Sequence, residues 1–178
     1  MLLNISLNPK EKENINKNKI TFVKDFCKIK TEYDFNLLTS FIEESEVPVF
    51  IKNNNEFLKT VVQLTNLQDR FPDFKFIQSF LFQVFNYCLD KRDGCDIFFS
   101  LKSSAGISHV DEEDVFIIGL NGITVYKIFE KNTDYFEIHK GDLIYIPKGV
   151  PHKVIGLSPR IILSVGFHGN RQITYKEL

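Results

Sequence analysis

The stretch from Gly141 to His152, GDLIYIPKGVPH, places one short apolar run between two turn signals. A glycine-aspartate pair opens it and a proline-x-glycine pattern follows the run, and both patterns are typical of tight turns. The apolar residues 143–146 predict a strand, so the second turn delivers the imidazole of His152 to the start of a neighbouring strand. Short apolar runs separated by similar signals continue from about residue 95 to 168. This spacing is typical of an all-β sandwich or barrel.

Eight strands can be placed in this part of the chain, which is the number that a jelly roll needs. The predicted strands are Asp96–Leu101, Gly106–Asp111, Val115–Leu120, Ile123–Phe129, Tyr135–His139, Leu143–Ile146, His152–Gly156 and Arg160–Phe167. Asn121 and Gly122 lie between the third and the fourth of them, and both residues tolerate the positive φ of a primed turn. We therefore predict a tight hairpin at this point.

The first half of the chain has a different pattern. Apolar residues recur at helical spacing in three segments, which are Thr31–Glu44 (with Thr31 or Asp34 as its cap), Glu56–Leu67 and Phe74–Leu89. The last of these segments is so rich in phenylalanine that a strand is an alternative interpretation of it. Val47–Ile51 is short and rich in β-branched residues, which predicts a strand. Residues 9–19 are charged and rich in asparagine, so we expect residues 1–20 to be a flexible or surface-laid lead-in.

Together these patterns predict one domain over residues 21–178. Its class is mainly β (α+β), with the eight strands of a jelly roll. A helical part at about 31–92 would form an N-terminal buttress for an eight-stranded barrel at about 95–168. The chain has no internal repeat and no low-complexity linker, so a separate helical domain is not expected.

The charge balance argues against a nucleic-acid-binding protein. The 178 residues carry 22 Lys and Arg against 23 Asp and Glu, with no basic block. No long apolar stretch and no signal-peptide pattern occurs, so we expect no membrane partner and a cytoplasmic location. Cys27, Cys88 and Cys95 lack the spacing of metal or redox motifs, which fits reduced thiols. A homodimer, through the N-terminal helices or a sheet edge, stays open.

His109, Asp111 and His152 are the candidate metal ligands. His109 and Asp111 are two positions apart, so an extended backbone would point both side chains to one face, and the strand pattern brings His152 to a neighbouring strand. Two imidazoles and one carboxylate form the facial triad of non-haem Fe(II) oxygenases, which leaves open positions on the ion. The other two histidines are expected to be structural. The acidic residues 112–114 are expected to form a solvated turn, with a role in substrate recognition as the alternative.

Three motifs together resemble the JmjC-type, cupin-fold Fe(II)- and 2-oxoglutarate-dependent oxygenases, namely His109-x-Asp111, the Asn121-Gly122 turn, and the segment from Gly141 to His152. The similarity runs over roughly residues 45–168 and implies a double-stranded β-helix of the jelly-roll, cupin-like type. The resemblance implies that the three candidate ligands bind Fe(II) and that 2-oxoglutarate and dioxygen are co-substrates. It also implies hydroxylation of an unidentified substrate, either a protein side chain or a small metabolite.

The resemblance directs attention to the residue that anchors 2-oxoglutarate. Such enzymes usually have a lysine two residues beyond the hairpin glycine, and this chain has Thr124 there. Thr124 and Tyr126 share the inward parity of the strand and rank first as binding residues. Lys127, which should point outward, ranks next, followed by Arg160 at the start of the last strand. Lys102 is a further candidate.

Two other functions stay open. Thr124 in place of the lysine favours a metallocupin that acts as a dioxygenase or isomerase on a small molecule without 2-oxoglutarate, since the fold alone does not determine the chemistry. A non-catalytic, ligand-binding cupin is the third interpretation, and the three metal-ligand types argue against it.

Overall fold

The computed structural model describes residues 4–44, 49–52, 61–100 and 107–172. The helices in these ranges are α1 (Pro9–Asn16), α2 (Phe35–Glu44) and α3 (Pro72–Phe85). The strands are β1 (Thr21–Val23), β2 (Val49–Lys52), β3 (Val61–Leu64), β4 (Gly94–Ser100), β5 (Asp114–Asn121), β6 (Thr124–Phe129), β7 (Thr133–Ile138), β8 (Leu143–Ile146), β9 (His152–Gly156) and β10 (Arg160–Phe167). Among the described helices, none has the length and apolar character needed to cross a membrane.

The strands form two sheets. The larger has seven strands in the order β1-β8-β5-β10-β4-β3-β2, and the smaller has three in the order β7-β6-β9. Neighbouring strands run antiparallel, and residues from both sheets share one apolar cluster, which includes Ile117 of β5 and Tyr126 of β6. The predicted jelly-roll, cupin-like fold is confirmed. Seven of the predicted barrel strands are present as β4 to β10, while Leu101 lies outside the described residues.

The central strands of the larger sheet, β5, β8 and β10, are buried on both faces, because the helices cover the face that points away from the smaller sheet. In β5, Val115 and Ile117 belong to the cluster between the sheets, whereas Phe116 and Ile118 belong to a second core beneath the helices. The ring of Phe116 stacks on Phe85 of α3, with the centroids 5.4 Å apart. A strand buried on both faces loses the alternation of polar and apolar residues, which explains the continuous apolar run of β5.

The boundaries of α2 and α3 follow from their terminal residues. α2 begins after Asp34, whose Oδ1 accepts a hydrogen bond from the backbone N of Leu37 at 2.8 Å, so Asp34 and not Thr31 is the cap. α3 begins at Pro72 and ends where Asn86 adopts the left-handed conformation, with φ of 54°. Both predicted helices are confirmed, and both are shorter than predicted.

The predicted helix at Glu56–Leu67 is wrong for its described part, which forms β3, a loop at residues 65–66 and the first residue of a 3-10 turn, Leu67–Asp69. β3 begins with two β-branched valines and hydrogen-bonds to β2 on one side and to β4 on the other. Pairing with distant strands thus overrides a helical spacing in so short a segment. Residues 56–60 lie outside the described residues. The strand predicted at Val47–Ile51 is present as β2, apart from residues 47–48, which are also outside that part of the chain.

The predicted strand Gly106–Asp111 is not a regular strand, and its first residue lies outside the described residues. The segment pairs with β9 through a single antiparallel bridge between His109 and His152. Two residues later the backbone oxygen of Asp111 accepts a hydrogen bond from the backbone N of Gly149 at 2.9 Å. This bond ties the segment to the turn before β9, and the strand ladder does not continue.

The Asn121-Gly122 turn is not a hairpin, which corrects the prediction. The two strands that it joins, β5 and β6, lie in different sheets, so the turn carries the chain from one sheet to the other. Gly122 has φ of +70°, and a Cβ at this position would lie 1.9 Å from the carbonyl oxygen of Pro159. Glycine is therefore required at position 122, because the backbone there has a positive φ and leaves no room for a Cβ where the chain passes from one sheet to the other.

The lead-in expected at residues 1–20 is not flexible in its described part, because Pro9–Asn16 forms α1, a mostly exposed helix that fits the surface-laid alternative. Asn8 and Glu11 form a capping box, in which each side chain accepts a hydrogen bond from the backbone N of the other. Ile15, the single isoleucine of this charged stretch, is completely buried in the main core. A strong cap and one buried side chain are thus enough to fix a segment whose composition is typical of disorder.

We expect Ile15→Ala to lower the free energy of unfolding by about 2–4 kcal/mol, because it removes a fully buried side chain from the core. Urea denaturation followed by circular dichroism measures the change. Leu89→Ala is the matched control, since Leu89 is 86% exposed, and we expect a change below about 0.5 kcal/mol there. Equal stabilities of the two variants would mean that α1 does not pack on the core.

Candidate metal centre

The three candidate metal ligands meet where the segment before β5 contacts the start of β9. The backbone N of His109 donates to the carbonyl oxygen of His152, and the backbone N of His152 donates to that of His109, both at 2.9 Å. A third backbone hydrogen bond, from the N of Gly149 to the carbonyl oxygen of Asp111, also holds the segment before β5 against the turn before β9. The two halves of the site, 41 positions apart in the sequence, are thus joined by backbone hydrogen bonds.

One ligand atom from each of the three side chains lies within 4.8 Å of the other two. The Nε2 of His109 is 3.7 Å from Oδ1 of Asp111, and the Nε2 of His152 is 3.5 Å from Oδ2 of the same carboxylate. Two imidazole nitrogens and a carboxylate therefore point at one region of space. No other cluster of at least three such side chains with this geometry is found in the described parts of the chain.

The hydrogen bonds of the imidazoles fix which nitrogen can bind a metal. The Nδ1 of His109 donates to the carbonyl oxygen of Ile107 and the Nδ1 of His152 to that of Val150, each at 3.0 Å. A carbonyl can only accept, so each Nδ1 carries the proton and each Nε2 keeps its lone pair. Burial lowers the pKa of His152 from its ordinary value, which favours the neutral ring. This donor set fits a divalent ion such as Fe(II).

A cavity of about 520 Å³ lies in front of these ligands, between the two sheets. Its walls are partly apolar, with Phe98, Ile117 and Val154 among the lining residues. The polar lining residues, besides the three candidate metal ligands, are Gln63, Asp96, Glu113, Tyr126, Arg160 and Ser164. A partly apolar pocket with a few convergent polar groups is the usual form of a small-molecule site.

The side chains of β6 alternate as predicted. Thr124 and Tyr126 are buried, whereas Lys127 lies on the outer face of the smaller sheet. The Nζ of Lys127 is 5.1 Å from the ring centroid of Phe129 and 5.4 Å from that of Tyr135. The burial pattern thus separates Lys127 from the cavity, while Lys102 lies outside the described residues.

Arg160, at the start of β10, is 3% exposed and lines the cavity. Its Nη1 donates to Oγ1 of Thr124 at 3.5 Å, and its Nε donates to Oγ of Ser100 at 3.2 Å. Burial lowers the pKa of Arg160, and burial raises the pKa of Tyr126 above its ordinary range. The structure therefore brings together three of the five candidates for 2-oxoglutarate binding: Thr124, Tyr126 and Arg160.

The acidic run at residues 112–114 differs from the predicted solvated turn. Glu112 is exposed, but Glu113 lines the cavity, and burial raises its pKa. Asp114 is buried, and its Oδ2 accepts hydrogen bonds from the hydroxyl of Tyr87 at 2.7 Å and from Nη2 of Arg171 at 2.8 Å. The composition of the run gives no signal that separates these three positions. The apolar run that follows Asp114 and forms β5 could have indicated that Asp114 belongs to a buried strand.

The two remaining histidines lie away from the candidate ligands. The Nε2 of His139 is 2.7 Å from Oε1 of Glu137 on the surface. His168 lies between two carboxylates, with its Nδ1 3.8 Å from Asp93 and its Nε2 3.6 Å from Glu113. Neither belongs to the metal cluster found in the described parts of the chain, and the structural role of both stays a prediction.

Comparison with known proteins supports this fold. Residues 123–175 match the family model of the JmjC domain, which covers β6 to β10 and includes His152. The structure is similar to that of YcfD, a ribosomal oxygenase from Escherichia coli, with a TM-score of 0.74 and 20% identity, covering 97% of this chain and 54% of that chain. No significant match was found among the curated proteins.

A further solved structure shows the same Escherichia coli protein in complex with cobalt and 2-oxoglutarate. It matches with a TM-score of 0.72 and 19% identity, covering 96% of this chain and 54% of that one. The present chain thus spans about half the length of these solved proteins. The fold is that of the JmjC and cupin jelly-roll oxygenases, and the resemblance predicted from the sequence motifs is confirmed.

Proposed function

We propose that the chain is an Fe(II)- and 2-oxoglutarate-dependent oxygenase that hydroxylates its substrate. The observation that carries the proposal is the convergence of His109, Asp111 and His152 at a cavity whose wall contains the buried guanidinium of Arg160. A metal triad and a buried cation beside it are what a bound dicarboxylate requires. The solved complex of YcfD with cobalt and 2-oxoglutarate supports the same chemistry at this fold.

His109, Asp111 and His152 would hold the metal ion. The carbonyl oxygens of Ile107 and Val150 keep both imidazoles in the tautomer that can bind it. When bound, Fe(II) with 2-oxoglutarate and dioxygen supplies the oxidation of 2-oxoglutarate to succinate and carbon dioxide, coupled to hydroxylation of a substrate C–H bond. The residues of the chain position the reactants and keep water away from them.

Arg160 and Thr124 would hold the distal carboxylate of 2-oxoglutarate in place of the usual lysine. A buried guanidinium is stabilised by an anion, because the attraction is strong where water is excluded. The contact between Arg160 and Thr124 puts a hydroxyl beside that cation. Tyr126 keeps its proton, because burial raises its pKa, so it can donate a further hydrogen bond. The missing lysine was the reason for considering a metallocupin without 2-oxoglutarate, and Arg160 offers a replacement cation.

Two carboxylates on the cavity wall are candidates for contacts with the substrate. Glu113 lies 3.6 Å from the Nε2 of His168, and Asp96 accepts hydrogen bonds from Nε2 of Gln63 at 2.8 Å and from the backbone N of Asn66 at 3.1 Å, so the fold already holds both carboxylates in place. They favour a substrate group that donates hydrogen bonds or carries positive charge. Because YcfD is a ribosomal oxygenase, ribosomal proteins are the first substrates to test, ahead of small metabolites. The three free thiols fit a reducing compartment, so we propose the cytoplasm as the location.

Anaerobic titration of the Fe(II)-loaded protein with 2-oxoglutarate tests the proposed function. We expect the weak visible charge-transfer band of a bidentate chelate, saturating at one equivalent per site. Binding of iron without this band would favour the metallocupin interpretation, in which a small substrate itself chelates the metal. Failure to bind iron at all would favour the non-catalytic ligand-binding cupin.

A further inference from the structure

Arg171, near the end of the described chain, joins four parts of the fold. Its side chain is only 12% exposed. Its Nη2 donates to Oδ2 of Asp114 at 2.8 Å and to the hydroxyl of Tyr87 at 2.7 Å, and it also contacts the hydroxyl of Tyr145 in β8. Its Nη1 donates to the carbonyl oxygen of Ile15 in α1. One guanidinium thus ties α1, β8, the start of β5 and the segment after α3 to each other.

The aromatic neighbours fix the orientation of this guanidinium. Its Cζ lies 4.9 Å from the ring centroid of Tyr87, 5.0 Å from that of Tyr145 and 5.7 Å from that of Phe85. A guanidinium held between aromatic rings and a carboxylate loses little further entropy on making each hydrogen bond. The contact with Asp114 is therefore made in one defined geometry.

Asp114 connects Arg171 to the turn that precedes the metal ligand His152. Its second oxygen, Oδ1, accepts a hydrogen bond from the backbone N of Lys148 at 3.0 Å. Lys148 is the middle residue of the Pro147-x-Gly149 turn, and the next backbone N, that of Gly149, donates to the carbonyl oxygen of Asp111 at 2.9 Å. The turn leads directly into Val150, whose carbonyl oxygen accepts from the imidazole of His152.

We infer that Arg171 is a positioning residue for the metal centre: it fixes the carboxylate of Asp114, which fixes the turn that orients Asp111 and His152. The inference rests on the proposed metal site and adds to it a group on the opposite face of the larger sheet. Groups that orient metal ligands are worth roughly 10-fold to 100-fold in metal affinity. A residue that serves only the stability of the fold would change the melting temperature and leave that affinity unchanged.

The test compares Co(II) affinity, measured anaerobically by calorimetry, with the melting temperature for the full chain and its variants. For Arg171→Gln we expect Co(II) binding to weaken about 10-fold to 100-fold. Asp73→Asn is the matched control, because Asp73 is another buried carboxylate of the core, accepting from Thr31 at 2.8 Å and from Tyr33 at 3.3 Å. We expect this control to lose thermal stability while its Co(II) affinity stays within about twofold of the wild type.

Arg171→Lys retains the charge and can restore part of the contact with Asp114, so its Co(II) affinity should lie between those of the wild type and Arg171→Gln. If Arg171→Gln does not fold, Arg171→Lys carries the comparison, with an expected loss of a few-fold. A lowered melting temperature with unchanged Co(II) affinity in the Arg171 variants would overturn the inference and leave a structural role only. Failure of the wild-type protein to bind Co(II) would instead contradict the proposed function.

Discussion

Asp111→Ala is expected to abolish Fe(II) and Co(II) binding while the fold stays intact. Asp111 supplies the carboxylate of the cluster, and each of its oxygens faces one imidazole nitrogen, at 3.7 and 3.5 Å. Loss of a direct ligand should exceed the roughly 10-fold to 100-fold effect of a group that only orients a ligand. The side chain is 26% exposed, and the hydrogen bond to Gly149 comes from the backbone, so the substitution leaves the packing largely unchanged.

Anaerobic calorimetry with Co(II) measures this effect, and circular dichroism reports on the fold. Glu112→Ala is the matched control, because it removes an exposed carboxylate at the next position and should bind Co(II) like the wild type. Wild-type affinity in Asp111→Ala would show that the metal site lies elsewhere or involves other ligands.

Arg160→Met should weaken 2-oxoglutarate binding to the Fe(II)-loaded protein by about 100-fold to 1,000-fold, equivalent to about 3–4 kcal/mol. Methionine fills much of the same volume but removes the buried cation that would face the distal carboxylate. The charge-transfer titration measures this affinity. The affinity for Co(II) alone should stay within a few-fold, because Arg160 is not part of the metal cluster.

Lys127→Met is the control for this prediction. Lys127 lies over the rings of Phe129 and Tyr135 on the outer face, so its removal should leave 2-oxoglutarate binding unchanged. The opposite result, with loss of binding in Lys127→Met and normal binding in Arg160→Met, would refute the assignment of the co-substrate cation.

The parts of the fold that depend on local alternation could be predicted from the sequence. Residues 143–146 were recognised as a strand from one apolar run between two turns, and β8 has these bounds. The parity of β6 predicted that Thr124 and Tyr126 face inward and Lys127 outward, and their burial confirms it. The alternation of inward and outward side chains along a strand depends only on neighbouring residues. It can therefore be predicted without knowing the contacts made by the rest of the chain.

Features that depend on distant contacts were missed. The segment of β3 was predicted as a helix, because the spacing of its apolar residues does not reflect its pairing with β2 and β4. Arg160 ranked last among the co-substrate candidates, since its contact with Thr124 crosses between two sheets that share no strand pair. Asp114 looked like part of a solvated run because its partner, Arg171, lies 57 positions away.

The most direct test of the proposed oxygenase activity is a single-turnover measurement of succinate. The Fe(II)-loaded protein is mixed anaerobically with one equivalent of 2-oxoglutarate, oxygen is admitted, and succinate is measured by mass spectrometry. We expect succinate to form in the wild-type protein, in an amount approaching that of bound iron, and not in Asp111→Ala. A wild-type protein that binds both iron and 2-oxoglutarate but forms no succinate, even with ribosomal proteins present, would contradict the proposed function.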